Sequence, residues 1–421
     1  MRTALSCLLC LPFAGIALEV QLATDASLPE KTAAHEISAY LGRMTGTVPT
    51  VRTEGAAPAA RALFVGDTAV ARAAGIEVAK MGEEEWVVRS VEQGVVIAGG
   101  RPRGTLYAAY HYLEDACGVR WWNPWEEHVP QVREAPTLGL DLAGKPVIQY
   151  RDIYMLYGGD GGRFAARSRL NREGDTPISP DYGGCRDYGP PYHVHTFYKY
   201  IPPATYFAEH PEYFSLVDGK RQADRHQLCL SNPELRKIFV AKLRSYIADC
   251  EAKAKAAGTP PPVVYDISQN DWYGQCQCEA CQAIVKREGD SEAGLLLDFV
   301  NEIAAAIEAD YPYVFIDTLA YQYTQKPPST IRPRDNVIIR LCDTRSNATF
   351  PITAEENAPF RQFLLTWANI AKNLRIWDYA VTYAAPRGLP YPSADTYAED
   401  FRFYAEHRVE GVFTELEYPV L

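Results

Sequence analysis

The chain is short of positive charge: 42 Lys and Arg stand against 53 Asp and Glu, a formal net charge of −11. A field of that sign repels phosphate backbones and anionic bilayers, which argues against nucleic acid and membrane surfaces as partners. Beyond residue 18 no apolar run approaches the ~20 residues that a transmembrane helix requires. Histidine is scarce, with 8 in 421 residues, and His193 and His195, which would share one face of a strand, have no third partner for a histidine-only metal site. The glycine-rich run Gly99-Gly100-Arg101-Pro102-Arg103-Gly104 has neither P-loop nor dinucleotide-binding spacing and reads as a strand-to-helix turn. Apolar residues, in contrast, are plentiful at 47%, with 23% charged. That balance is globular and excludes disordered, collagenous and coiled-coil chains. Aromatics reach 12%, with 27 Tyr and 7 Trp, an excess that suits clefts stacking rings on flat apolar faces, as sugar sites do.

The length accommodates a large barrel and a smaller domain. Arg2 precedes an apolar run from Ala4 to Leu18, and Gly15-Ile16-Ala17 supplies the small residues of a cleavage site. Residues 1–17 therefore read as a signal peptide, and the protein as secreted or periplasmic in a bacterium. Residues 18–142 read as a small α/β accessory domain, with strands at Leu18–Ala23, Val48–Arg52, Ala62–Val65, Trp86–Val91 and Gly94–Ala98 and helices at Pro29–Met44 and Thr105–Ala116. Pro136–Pro146 reads as a linker. From 147 to 421 strands and helices alternate, which predicts a (β/α)8 TIM-like barrel. Its strands are expected at Ile148–Met155, His193–Tyr200, Gln227–Ser231, Val263–Ser268, Val314–Tyr321, Val337–Cys342, Leu374–Tyr379 and Gly411–Glu415. Helices are expected at Asn232–Ala257 and Ser291–Asp310. The Pro-rich link Thr324–Asp335 has no room for a helix, and none follows the last strand. The barrel is therefore expected to be incomplete at its C-terminus, the chain stopping before its natural end at Leu421.

In such barrels the chemistry sits where strands end. The fourth predicted strand ends in Asn270, Asp271 and Trp272, the fifth in Tyr321, the sixth in Asp343, the seventh carries Trp377, Asp378 and Tyr379, and the eighth ends in Glu415 and Glu417. Glycoside hydrolysis needs one carboxyl group to protonate the leaving oxygen and a second group to attack or stabilise the anomeric carbon. Asp271, with Asn270 beside it, is the acid candidate, and Glu415 or Glu417 the second carboxylate. His195, Trp272, Tyr321, Asp343, Trp377, Asp378 and Tyr379 are the candidate sugar-binding residues. Each also has a plain structural role open to it: Asp271 as a loop cap, Asp378 in a buried ion pair, His195 as a satisfied core histidine. No cofactor is expected for catalysis.

Cys276, Cys278 and Cys281 fall within six residues, close enough to supply most of a tetrahedral zinc site, with Cys229 or Cys342 completing it. In an exported protein the same residues could instead form disulfides. An all-cysteine site has no open position, so its expected role is structural.

The run Gly100-Arg101-Pro102-Arg103-Gly104-Thr105-Leu106-Tyr107, through Leu113-Glu114 to Gly118-Val119-Arg120-Trp121-Trp122, resembles the N-terminal accessory domain shared by α-glucuronidases and β-hexosaminidases. The remainder is similar to domain-of-unknown-function family 4838. The residues that carry this likeness are His195-Thr196-Phe197, His210-Pro211-Glu212-Tyr213-Phe214, Leu228-Cys229-Leu230-Ser231-Asn232-Pro233, Ser268-Gln269-Asn270-Asp271, the cysteine cluster and Leu319-Ala320-Tyr321-Gln322. That family overlaps glycoside hydrolase family 163, so the resemblance implies a barrel glycosidase and, more narrowly, an endo-β-N-acetylglucosaminidase acting on complex N-glycans. Hexosaminidase-like barrels end their fourth strand in Asp-Glu, where the Asp orients the substrate's own acetamido nucleophile. Asn270-Asp271 occupies that place here and departs from it. Two other readings stay open at this point. One is a non-catalytic glycan-binding protein; the other is a hydrolase of uronic-acid-bearing glycans, for which Arg340 and Arg345 are the nearby cations.

Overall fold

The computed structural model describes residues 18–55, 61–154, 162–172, 178–186, 188–381 and 391–416. Residues 1–17, expected from the sequence to be a signal peptide, and Glu417 lie outside them. Two compact units divide the chain: residues up to Pro146, with 162–169 and 178–184, form one, and the rest, beginning at Val147, form the other.

The first unit is built on a six-stranded sheet. Its order is Thr50–Thr53, Glu19–Leu22, Ala62–Val65, Gly94–Gly99, Trp86–Val91 and Asp141–Gly144, the first four parallel and the last two antiparallel. The helix Leu28–Thr45 starts with Pro29 in its first turn and the Glu30 carboxylate accepting the Ser27 N–H at 2.7 Å, and it stops on Gly46 at φ 76°. Its Ile37, Leu41 and Met44 pack with Val20, Leu63, Val95 and Ile97 on one sheet face. The glycine-rich turn has a steric reason: a Cβ on Gly100 would stand 1.9 Å from the Gly82 carbonyl, and one on Gly104 2.3 Å from that of Glu85. The backbone of 82–85 passes too close for any side chain.

The second unit holds six parallel strands in the order Val264–Asp266, Phe315–Ala320, Val337–Cys342, Asn373–Ala380, Val409–Leu416 and Tyr150–Tyr154. Helices Pro233–Ala257, Glu279–Arg287, Glu292–Glu308, Ala358–Ile370 and Tyr397–Glu406 accompany them. The sheet is an open half-barrel rather than the eight-stranded barrel expected, because two predicted strands do not form. His193–Tyr200 breaks at His195, whose φ is 52°, and turns helical at Phe197–Tyr200. Its irregular part lies beside the Asp266 strand, with Gly189 N–H on the Val264 carbonyl at 2.8 Å and Thr196 N–H on that of Ser268 at 3.2 Å. Gln227–Ser231 makes a single bridge, between Leu228 and Phe214, and its backbone and side chains otherwise serve loops. The expected helix after Asn232 is present. The Asn232 Oδ1 accepts the N–H groups of Glu234 and Leu235 at 3.0 and 3.1 Å, and Phe239 packs edge to face with Phe197 and Phe299.

One irregularity sets the register. Leu374 pairs with Val409 but Arg375 with Gly411, so Glu410 is an extra residue in its strand, its carboxylate taking the Arg375 Nε–H at 3.0 Å.

Candidate active site

Alternation along parallel strands sends one set of residues outward into the helices and the other into the concave interior. In the half-barrel the inward set is charged at mid-height. Asp317 accepts Arg340 at 2.6 Å (Nη2) and 3.1 Å (Nε) and also the Tyr188 phenol, while Arg340 donates to the His193 carbonyl at 2.8 Å. Asp266 lies 3.9 Å from the same guanidinium and accepts the Ser268 hydroxyl at 2.7 Å. Asp152 takes Tyr150 and Arg172 at 2.7 and 2.8 Å. Burial, with Asp317 beside it, pushes the Asp266 carboxyl up to about 7.

Above this layer the C-terminal ends of the strands open into a cavity of about 800 Å³. Each strand contributes: Tyr154, Tyr321, Asp343, Trp377 with Tyr379, and Glu415 line it, and Asp271 reaches it from the loop after the Asp266 strand. Pairing of Tyr379 with Glu415, and of Glu415 with Tyr154, sets these three abreast. Asp271 is 60% exposed; its Oδ1 accepts the Tyr321 phenol at 3.0 Å and stands 3.9 Å from His195 Nε2. The other imidazole nitrogen, Nδ1, is 2.7 Å from the Gln269 carbonyl, which can only accept, so Nδ1 carries the hydrogen and neutral His195 turns a lone pair toward Asp271. Burial lowers His195 from its ordinary value, and it holds Tyr321 protonated as a donor. Glu415 Oε2 accepts the Trp377 indole N–H at 3.0 Å. Asp343 accepts the N–H groups of Arg345 and Ser346 at 3.3 and 3.0 Å, and burial raises its carboxyl.

Of the residues singled out from sequence, Asp271, Glu415, His195, Tyr321, Asp343, Trp377 and Tyr379 meet at this cavity. Asn270 does not. It is buried below the rim, its amide used by the Tyr198 N–H at 3.2 Å and the His226 carbonyl at 2.9 Å. Trp272 points away, 40% exposed, with its ring 6.0 Å from Tyr198. Asp378 faces the opposite side of its strand, between Trp377 and Tyr379 in sequence, and lines a separate cavity of about 30 Å³ with Tyr397 and Asp400. Burial and the nearby Asp343 push it up to about 6. The cations suggested for a uronic acid are engaged elsewhere: Arg340 lies under the cavity on Asp317, and Arg345 donates to Gln325 at 2.8 Å. His193, noted from the sequence beside His195, also lines the cavity, and so do Tyr154, Tyr192 and Tyr391, which went unnoticed. For Tyr154 a signal existed, since Tyr150, Asp152 and Tyr154 recur at the strand period of two.

Cys229, Cys276, Cys278 and Cys281 come together with all four Sγ atoms within 4.8 Å of one another. Cys342 is not among them and lines the cavity instead.

Comparison with known proteins places this architecture. Residues 121–420 match the model of the domain of unknown function DUF4838. The chain belongs to that family. In this DUF4838 protein, residues 17–112 also match the N-terminal domain of glycosyl hydrolase family 67. No curated protein matches the chain. Among solved structures it is similar to a family GH115 4-O-methyl-α-glucuronidase with specificity for decorated arabinogalactans, at 10% identity and a TM-score of 0.52, covering 95% of this chain and 54% of that one. A GH138 enzyme targeting pectin rhamnogalacturonan II aligns at 10% identity and a TM-score of 0.38, covering 94% and 46%. The chain thus spans about half the length of these structures, and at such identity the GH115 likeness is one of fold. Among the described residues no helix is long and apolar enough to cross a membrane.

Proposed function

We propose that this protein is a glycoside hydrolase whose cavity binds a neutral sugar, with Asp271 as general acid and Glu415 as the second carboxylate. The observation that carries the reading is the meeting of Asp271, Asp343 and Glu415 with Tyr154, Tyr321, Trp377 and Tyr379 at the strand ends of one cavity. Aromatic faces hold a sugar ring by its apolar C–H surface, and carboxylates bind its hydroxyls. Arg340 and Arg345, the cations suggested for a uronic acid, are engaged elsewhere, and the carboxyl groups here offer a charged sugar no counter-charge, which favours neutral sugars.

Asp271 needs a proton to give. Its Oδ1 stands 3.9 Å from His195 Nε2 and accepts the Tyr321 phenol at 3.0 Å. As the acid, Asp271 carries the transferred proton at the cavity rim. Asp271 passes it to the glycosidic oxygen as the bond to the anomeric carbon lengthens, and the Tyr321 phenol steadies the carboxylate that remains. Glu415, held by the Trp377 indole N–H, faces the positive charge that develops on the sugar and either attacks it or activates water. The chemistry calls for no cofactor. The narrower endo-β-N-acetylglucosaminidase activity belongs to this proposal as one substrate to test. With the Asn270 amide engaged below the rim, the mechanism relies on Glu415 rather than on a substrate acetamido group.

The test is incubation of the purified protein with neutral oligosaccharides, complex N-glycans and uronic-acid-bearing glycans, with released reducing ends measured by chromatography. Cleavage of neutral glycans is expected. Calorimetric binding with no cleavage of any member would overturn the hydrolase in favour of a glycan-binding protein, and faster cleavage of the uronic-acid substrates would overturn the neutral preference.

A further inference from the structure

Away from the cavity, four thiols are arranged as ligands are arranged. Cys229 Sγ is 3.6 Å from Cys278 and 3.9 Å from Cys281, and all four sulfurs lie within 4.8 Å of one another. Four thiolates held ~2.3 Å from a zinc ion at tetrahedral angles stand ~3.8 Å apart. A disulfide requires ~2.05 Å, and none of the four is so bonded. We propose that Cys229, Cys276, Cys278 and Cys281 form a closed zinc site that pins the segment before the helix Pro233–Ala257 to the loop that leaves Asp271.

The surroundings suit such an ion. Cys229, Cys276 and Cys281 are buried, so water is kept from the metal, and four protein sulfurs leave no open position for catalysis. Zinc with four thiolates carries a net double negative charge, which needs donors around it. The Leu216 N–H reaches Cys276 Sγ at 3.3 Å, Arg221 Nη1 approaches the same sulfur at 3.8 Å, and the Ser231 hydroxyl stands 3.1 Å from Cys281 Sγ. These are the hydrogen bonds that orient thiolates and offset their charge. Cys342 has no part in this geometry.

The site would brace the active-site rim. Gln227, close in sequence to Cys229, pairs with the Asn270 backbone in both directions: its Oε1 accepts the Asn270 N–H at 3.0 Å, and its Nε2 donates to the Asn270 carbonyl at 3.0 Å. On the far side of the cluster the Gln277 N–H donates to the Leu216 carbonyl at 2.8 Å. An ion joining Cys229 to Cys276, Cys278 and Cys281 therefore ties the segment whose Gln227 holds the residue before Asp271 to the loop that leaves Asp271. This bracing role rests on the glycosidase reading; the metal site does not.

Metal analysis of the full chain, purified without chelator, should find about one zinc per chain. Cys229→Ser should bring that ratio near zero, while Cys250→Ser leaves it unchanged. If Cys229→Ser does not fold, the wild-type protein decides. Stripping with a chelator should lower the melting midpoint and expose the four thiols to alkylation without prior reduction, zinc should restore the midpoint, and cobalt(II) should give the visible bands of a tetrahedral tetrathiolate. A folded, metal-free protein that takes up no zinc, or whose mass shows the four cysteines paired as disulfides, would overturn the site, and iron in place of zinc would overturn the choice of metal. None of these readouts needs activity, so failure of the zinc site and failure of the glycosidase reading are separable.

Discussion

The two sheets fill their interiors by opposite means. In the accessory unit both faces are aliphatic or aromatic: Val20, Leu63, Val95 and Ile97 on one side, Phe64, Val87 and Val96 on the other. In the half-barrel the convex side is equally apolar, with Ile316, Ile339, Leu341 and Ile376 under the helices, but the concave side carries Asp152, Asp266, Asp317 and Arg340. Apolar burial stabilises without direction, whereas buried charges must be paired at fixed distances and stabilise little for their cost. The first sheet is therefore built for cohesion and the second for placing groups. Arg340 illustrates the point, lying 5.3 Å from the Trp377 ring, whose indole N–H holds Glu415.

The sharpest test of that contrast is at the cavity itself. Asp271→Asn should lower turnover by about 10²–10⁴-fold on glycans with poor leaving groups. Substrates with activated aryl leaving groups, which need less protonation, should lose less, with binding by calorimetry nearly unchanged in both cases. Equal losses on both substrate types would move the acid role to Asp343 or Glu415.

Next in size is a pair of core substitutions, one in each sheet. Arg340→Met strands Asp317 as an unpaired buried charge and should cost about 3–5 kcal/mol in denaturant unfolding. It should also depress kcat in whatever protein remains folded, through the loss of support for Trp377. Leu63→Ala should cost about 2–5 kcal/mol of accessory-unit stability and leave kcat untouched. Equal effects of the two on kcat would dissolve the distinction between the sheets.

Much of the half-barrel was legible because its strands are runs of β-branched and aromatic residues bounded by turns, as in Val337–Cys342. The segments 193–200 and 227–231 are short apolar runs of the kind that periodicity cannot assign, and side-chain bonds to the loop at Ser268 and Asn270 decided their fate. Strand ends pointed to Asp271, Asp343, Trp377 and Glu415 because parallel topology alone brings those ends together. Asp378 was misplaced although it adjoins Trp377, since facing follows a parity that a sequence range does not state. The pairing of Asp266 with Arg340 across the interior, joining residues distant in sequence, left no local mark beyond a charge inside an apolar run.

The smallest effect expected is in pH dependence. The Asp266 carboxyl, at about 7 in the folded chain, is raised above the ~3.9 of an unfolded aspartate, so the folded state holds more protons between those values. Its contribution is full below about pH 4 and is lost as pH rises through 7. The melting midpoint should therefore fall between pH 5 and 8 more steeply in the wild-type protein than in Asp266→Asn, where the amide mimics the protonated acid. Parallel curves for the two proteins would mean that Asp266 stays ionised.

The extra residue at Glu410 reaches further than its own ion pair with Arg375. Side chains in a strand alternate, so a single added residue exchanges everything that follows between the two faces. Were the bulge ironed out with every residue kept, so that Leu374 stayed opposite Val409 and Arg375 paired with Glu410, Thr414 would take the place beside Tyr379 and Glu415 would turn toward the helices. A hydroxyl group would stand where the cavity now has a carboxylate. Which side chain faces the cavity at that height is thus set not only by the residue at position 415 but by the unpaired residue five places before it, and a change that abolished the bulge would alter the cavity lining without replacing any residue that lines it.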